Sequence, residues 1–222
     1  MFKTKISKEE LAALPNISFG GEVVVVDNYR QQSAAADFIL QHTIVGFDTE
    51  SRPIFQKGVR NSISLLQISA GDKVFLFRIN KFNLSPKVVK ILQSPNIKKI
   101  GAAVKDDIVE LKAVGKFEAA GFIDLQSIVG EWGIVELSLQ KISAIVLGRR
   151  LSKAQRLSNW SAVALTEAQI TYAATDAWVC CLIYDKLLKS QKPTEEELAE
   201  IKEEYTIHKK LLEPKIISDD KV

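Results

Sequence analysis

Asp48 and Glu50 stand one residue apart at the end of the apolar run Ile44-Val45-Gly46-Phe47. Successive side chains in a strand alternate faces, so residues two apart point the same way. Both carboxylates therefore project together from the end of a buried strand. Like charges held side by side are costly unless a proton or a cation sits between them. A divalent metal with a preference for oxygen ligands suits such a pair.

Two further segments could add to that chemistry. Ile100-Gly101-Ala102-Ala103-Val104-Lys105-Asp106-Asp107 carries a strand end through small residues into a helix. Tyr172-Ala173-Ala174-Thr175-Asp176 lies in a long helix, where Tyr172 and Asp176, four apart, share a face. That face sits on the shoulder of the helix's buried stripe, so the phenol and the carboxylate could look into one cleft. Each piece also has a plainer reading. Asp48 and Glu50 could be strand-end surface charge, Asp107 could favour a helix dipole, and Tyr172 could simply hydrogen-bond to Asp176.

The elements that must position these residues follow from pattern. β-type runs cover 22–26, 44–48, 63–69 and 73–77, with Ala70-Gly71-Asp72 as a hairpin turn between the last two. Ser85-Pro86 opens a helix over 87–93, which Ser94-Pro95 stops. A short strand over 97–101 comes next. Helices are expected over 103–114 and 137–147, each followed by glycine. The longest runs from the capping box Thr166-Glu167-Ala168-Gln169 to about Leu188. Strands first and helices after suggest a mixed sheet flanked by helices. Residues 1–20 read as an N-terminal helical extension opened by Ser7-Lys8-Glu9-Glu10, and 21–190 as the main domain. Residues 191–222 read as a charged helix over 195–212 with a frayed end.

Composition bounds the function. At 222 residues the chain can bury a real core. No apolar run approaches the ~20 residues of a membrane span, and residues 1–14 lack a signal-peptide core. The expectation is a cytoplasmic protein with no membrane partner. A net charge of +3 permits nucleic-acid binding without requiring it. Cys180 and Cys181 are neighbours, about 100° apart on a helix, and read as small buried apolar residues. With only His42 and His208, a histidine-rich zinc site is not indicated.

Taken together and in order, the segments resemble the DEDD superfamily of 3′–5′ exonucleases, in the subgroup with a tyrosine. The likeness is to the Werner-syndrome type exonuclease domain and, nearby, ribonuclease D. It is carried by Gly46-Phe47-Asp48-Thr49-Glu50, Ser64-Leu65-Leu66-Gln67-Ile68 and Lys99-Ile100-Gly101 through Asp107. Leu147-Gly148, Ser158-Asn159-Trp160-Ser161 and Leu165–Ile170 leading into Tyr172–Ala177 continue it. The resemblance covers roughly residues 20 to 190. It implies an RNase H-like α/β fold with a central five-stranded mixed sheet flanked by helices. It also implies catalytic residues Asp48, Glu50, Asp107, Tyr172 and Asp176, with Asp106 a surface neighbour of Asp107.

In that family the acids hold two divalent ions, Mg²⁺ or Mn²⁺, about 3.5–4 Å apart, which stabilise the entering and leaving oxygens of a phosphodiester. By resemblance Asp48 bridges both ions, Glu50 and Asp176 complete one site, and Asp107 serves the other. Tyr172 then orients the attacking water. The partner implied is a nucleic acid with a free 3′-end. The Thr49 backbone and the strand residues Leu65 and Leu66 are expected beside the terminal nucleotide, and Arg149, Lys153 and Arg156 either follow the phosphates or belong to a solvated loop. Trp160 is either a base-stacking platform or a core residue. The competing reading is a catalytically silent binding module of the same fold. All five catalytic positions being filled speaks against it. DNA or RNA, strandedness and oligomeric state stay open at this level, as does the loop 51–61 with its Arg52, Lys57 and Arg60.

Overall fold

The computed structural model describes residues 1–52 and 63–212. In chain order the elements are α1 (Lys8–Ala13), β1 (Glu22–Val26), α2 (Tyr29–Ile39), β2 (Ile44–Ser51), β3 (Ile63–Ala70), β4 (Lys73–Phe77) and α3 (Pro86–Gln93). Then come β5 (Lys98–Gly101), α4 (Val104–Val114), β6 (Phe122–Asp124), α5 (Leu125–Ile128) and a 3₁₀ turn (Val129–Trp132). α6 (Leu139–Leu147), α7 (Glu167–Leu188) and α8 (Glu195–Leu212) follow.

The strands form one mixed sheet in the order β1-β4-β3-β2-β5-β6. β3 runs antiparallel to its two neighbours, β2 and β4, while β1, β5 and β6 attach in parallel pairings. Among the described residues six strands stand where five were expected. The addition missed by pattern is β6, whose three residues Phe-Ile-Asp are too few to show a period. The sequence reading also passed over α2, capped by Asn28.

β3 is buried along its whole length, because helices cover both faces of the sheet. On one face Val45, Phe47, Leu66, Ile68, Phe75 and Phe77 pack under α2, α3 and α4. On the other, Leu65, Val74 and Leu76 meet Ala173 and Ala174 of α7. Further along α7, Val179, Cys180 and Ile183 join Ile100 and α6.

Residues 1–20 are packed against the domain. Ser7 caps α1 through a reciprocal capping box. The strap after it pairs with Arg150 in both directions, Arg150 N–H donating to Pro15 O at 2.9 Å and Ile17 N–H to Arg150 O at 3.1 Å. Cys180 and Cys181 are free thiols; Cys180 is buried, as expected, whereas Cys181 is only partly so. Among the described residues no helix is long and apolar enough to cross a membrane. The expected fraying of 213–222 and most of the loop 51–61 lie outside the described residues.

Candidate active site

Two glycines set the spacing of the site. α7 crosses β2 so closely that a Cβ on Gly46 would lie 1.9 Å from the carbonyl oxygen of Ala177. Asp48, two residues on from Gly46, leaves the same face of the sheet and so meets Asp176, the neighbour of Ala177. At Gly101 a Cβ would press to 2.8 Å from the Phe47 carbonyl and 2.6 Å from Val104. Its absence lets α4 start against β2 and brings Asp107 to the strand end.

On the α7 face, Asp48, Glu50 and Asp176 each offer a carboxylate oxygen, and the three atoms lie within 4.8 Å of one another. Asp107 comes from the α4 side, where it accepts a hydrogen bond from the Thr49 hydroxyl. Ser51 repeats the contact one rung on, its hydroxyl donating to Glu110 at 3.0 Å. Asp106 is exposed, so Asp107 is the acid that faces β2.

The electrostatics follow from burial and crowding. Asp48 is pushed well above the usual carboxylate range by burial and by the charges of Asp176, Glu50 and Asp107. Burial, then Asp176 and Asp107, raise Glu50 to about 9, with Arg156 drawing it back. Burial lifts Asp176 to about 7, against the hydrogen-bonding contact of the Tyr172 hydroxyl. Burial lifts Asp107 to about 6, against the Thr49 hydrogen bond. The Tyr172 phenol is raised by burial and by Asp176 and Glu50, so it stays neutral. Such a cluster holds protons for want of positive charge. Its all-oxygen donor set fits a hard divalent cation.

Beside it, a cavity of about 370 Å³ is lined by Ala103, Leu139, Lys153, Arg156, Tyr172 and Asp176. Lys153 and Arg156, two members of the basic stretch, are thus on its wall. Arg149 is exposed and does not line that cavity; its carbonyl accepts from Ser143 at 3.1 Å. Arg150 is occupied with the strap, through Asn16 Oδ1 at 2.9 Å and Ala12 O at 3.2 Å.

Two of the expected substrate contacts are placed differently, and the alternatives for Trp160 are decided. Leu65 and Leu66 are fully buried, on opposite faces of β3, because helices cover both sides of that central strand. Neither offers surface to a sugar or base. Trp160 is also fully buried, its ring 5.9 Å from that of Tyr172. It therefore packs beneath the tyrosine, and its ring has no face open to a base. The loop carrying it is fastened by Gln169, whose amide donates to Ser158 Oγ at 2.9 Å and Asn159 O at 3.2 Å. For Thr49 the hydroxyl, rather than the backbone foreseen, makes the contact at the site.

Sequence reading also missed the strap. Ile17 and Ser18 line a second cavity of about 280 Å³ that reaches Tyr172 and Asp176, and Phe19 N–H donates to Thr175 Oγ1 at 3.0 Å. Ala103, at the N-cap of α4, adopts left-handed φ 62°, ψ 34°, and its N–H donates to Asp124 Oδ1 at 3.0 Å. A non-glycine residue held there is strained by about 1–2 kcal/mol. Only the run of small residues 101–103 hinted at this turn.

A mixed sheet in this strand order, flanked by helices, is an RNase H-like fold, and it places the carboxylate cluster where a central strand meets a crossing helix. The chain belongs to the 3′–5′ exonuclease family, whose model matches residues 23–192. It is 31% identical over 193 residues to the mouse bifunctional 3′–5′ exonuclease/ATP-dependent helicase WRN, a match covering 78% of this chain and 13% of that protein. Its fold matches the Aedes aegypti Nibbler EXO domain with TM-score 0.68 at 23% identity, covering 81% of this chain and 95% of that one. Trypanosoma brucei RNase D in complex with RNA U12 matches with TM-score 0.69 at 19% identity, covering 78% and 64%. The chain spans between 13% and 61% of the length of the curated relatives it matches.

Proposed function

We propose that the chain removes nucleotides from the 3′-end of a nucleic-acid strand by metal-dependent hydrolysis, in the cytoplasm. The observation that carries the reading is the trio Asp48, Glu50 and Asp176, whose oxygens lie within 4.8 Å of one another while burial raises all three pKa values. Asp48, Glu50 and Asp176 would hold Mg²⁺ or Mn²⁺, with Asp107 serving a second ion. When bound, such ions supply Lewis-acid stabilisation of the charge that develops on the phosphate.

The remaining work falls to the chain's own groups. The Tyr172 hydroxyl, kept neutral by its acidic surroundings, orients the attacking water by hydrogen bonding and does not serve as the base. Lys153 and Arg156, on the cavity wall, hold the backbone of the strand. That contact is salt-sensitive, because it releases counterions. The cavity of about 370 Å³ accommodates a terminal nucleotide.

The test is digestion of matched 3′-labelled and 5′-labelled DNA and RNA, with Mg²⁺, with Mn²⁺ and with chelator. The expected result is a ladder of 5′-labelled products shortening from the 3′-end, abolished by chelator. The ratio of DNA to RNA rates assigns the sugar. No degradation of either strand, with Mn²⁺ binding retained, would identify a silent binding module instead.

A further inference from the structure

One buried polar side chain beside the site has no task in the mechanism above. Gln67 of β3 stands directly opposite Asp48 of β2 in the sheet register. Opposed residues of an antiparallel pair leave the same face, with Cβ atoms about 4.5–5.5 Å apart. The face is fixed by their neighbours: a Cβ on Gly46 would touch Ser69 as well as α7, and Leu65 packs under α7. Gln67 is fully buried, and neither its Oε1 nor its Nε2 finds a hydrogen-bond partner among the described residues. The indole N–H of Trp160 is in the same position. Trp160 packs with Leu65 and Leu76, which flank Gln67 along and across the sheet.

A buried amide with both ends unpaired is destabilising, and an apolar side chain of equal volume would serve the core better. The three orphan atoms are nonetheless complementary: a donor and an acceptor on Gln67, and a second donor on Trp160. Beside the amide donor lies an acidic group whose ionised form accepts hydrogen bonds. We propose that Gln67 is a positioning residue that orients Asp48. With a cation bound, its Nε2 donates to the Asp48 carboxylate and its Oε1 accepts the Trp160 indole proton. The inference rests on Asp48 acting as a cation ligand, as proposed above. It adds that the ligand is held in place from behind, through β3, by a chain ending at Trp160.

The experiment compares wild type with Gln67→Met, which keeps the volume and removes both polar ends. Metal-free melting, Mn²⁺ affinity by calorimetry without nucleic acid, and steady-state kinetics on a labelled oligonucleotide are measured. Loss of a group that orients a metal ligand weakens affinity roughly 10-fold or more. The expected outcome is melting unchanged or raised, Mn²⁺ affinity down about 10-fold, and kcat reduced with KM for the oligonucleotide unchanged. Wild-type Mn²⁺ affinity and kcat in the variant would overturn the proposal.

Should Gln67→Met fail to fold, ¹⁵N spectra of the native chain decide. The Gln67 side-chain amide resonance is expected to move as Mg²⁺ is added, and to stay still in Asp48→Asn. An unmoved resonance in wild type under saturating Mg²⁺ overturns the proposal. An Asp48→Asn variant that keeps both Mg²⁺ binding and activity instead overturns the reading of Asp48 on which the inference stands.

Discussion

The two faces of β2 treat their acids in opposite ways. Toward α4, Thr49 and Ser51 each put a hydroxyl against a carboxylate, on Asp107 and Glu110. Toward α7, Asp48 and Glu50 meet a third acid, Asp176, and their shifts are governed by burial and like charge. The consequence shows in proton affinity: Asp107 rises to about 6, Glu50 to about 9. A hydroxyl donor fixes a carboxylate and offsets part of the rise that burial causes, whereas packed carboxylates leave the charge to be balanced by something else. One strand thus carries a prearranged acid on one side and a cation-demanding cluster on the other.

The sharpest way to break the contrast is to remove a member of the crowded face. Asp48→Ala is expected to lower Mg²⁺- or Mn²⁺-dependent degradation roughly 10³-fold or more, the several kcal/mol of charge stabilisation a metal site supplies. The fold should survive, since one mutual repulsion is lost. Circular dichroism and a gel assay check both halves, and full activity would sink the mechanism. Tyr172→Phe keeps the ring over Trp160 but deletes the hydroxyl, so kcat should fall about 10²-fold with little change in melting temperature. A variant as fast as wild type removes Tyr172 from the reaction.

The hydroxyl face gives a smaller effect. Thr49→Val leaves Asp107 without its donor, so its pKa should rise above about 6, observable by carboxyl NMR, and activity should fall about 10-fold. Unchanged titration would mean the contact does not hold the acid.

The mildest perturbation is pH. Glu50 moves from 4.5 in an ordinary setting to about 9, and Asp176 from 3.8 to about 7. Between those limits the folded state binds more protons than the unfolded, so unfolding free energy falls as pH rises. In chelator, the melting temperature should decline from pH 5 to pH 8. With Mn²⁺ the decline should flatten, because ionised carboxylates bind the ion. Parallel pH trends with and without Mn²⁺ would deny any link between the acids and the ion.

Much of the crowded face was legible in advance. The two-residue spacing of Asp48 and Glu50 and the four-residue spacing of Tyr172 and Asp176 are periods of the backbone itself, and they survive without tertiary knowledge. The hydroxyl face was not legible, because nothing local marks Thr49 or Ser51 as facing acids 58 and 59 residues away. Helix α2 escaped because its inward side is made of Gln32, Ala35, Ala36 and Ile39, a stripe with little hydrophobic contrast. Leu65 and Leu66 were misjudged for the opposite reason, while Trp160 falls on the core side of its two readings. Large apolar residues beside a cleft suggest contact with a ligand, but these residues fill the layers on which the cleft is built.

The crossing at Gly46 gives the cluster a mechanical gauge. Strand and helix pass there with room for the glycine hydrogen and none for a methyl group, which would overlap the Ala177 carbonyl. Distance from Asp48 to Asp176 is thereby set by backbone against backbone, the stiffest part of the molecule, with no adjustable side chain between. Position 46 carries no reactive group, yet a single added carbon would wedge the two halves of the site apart.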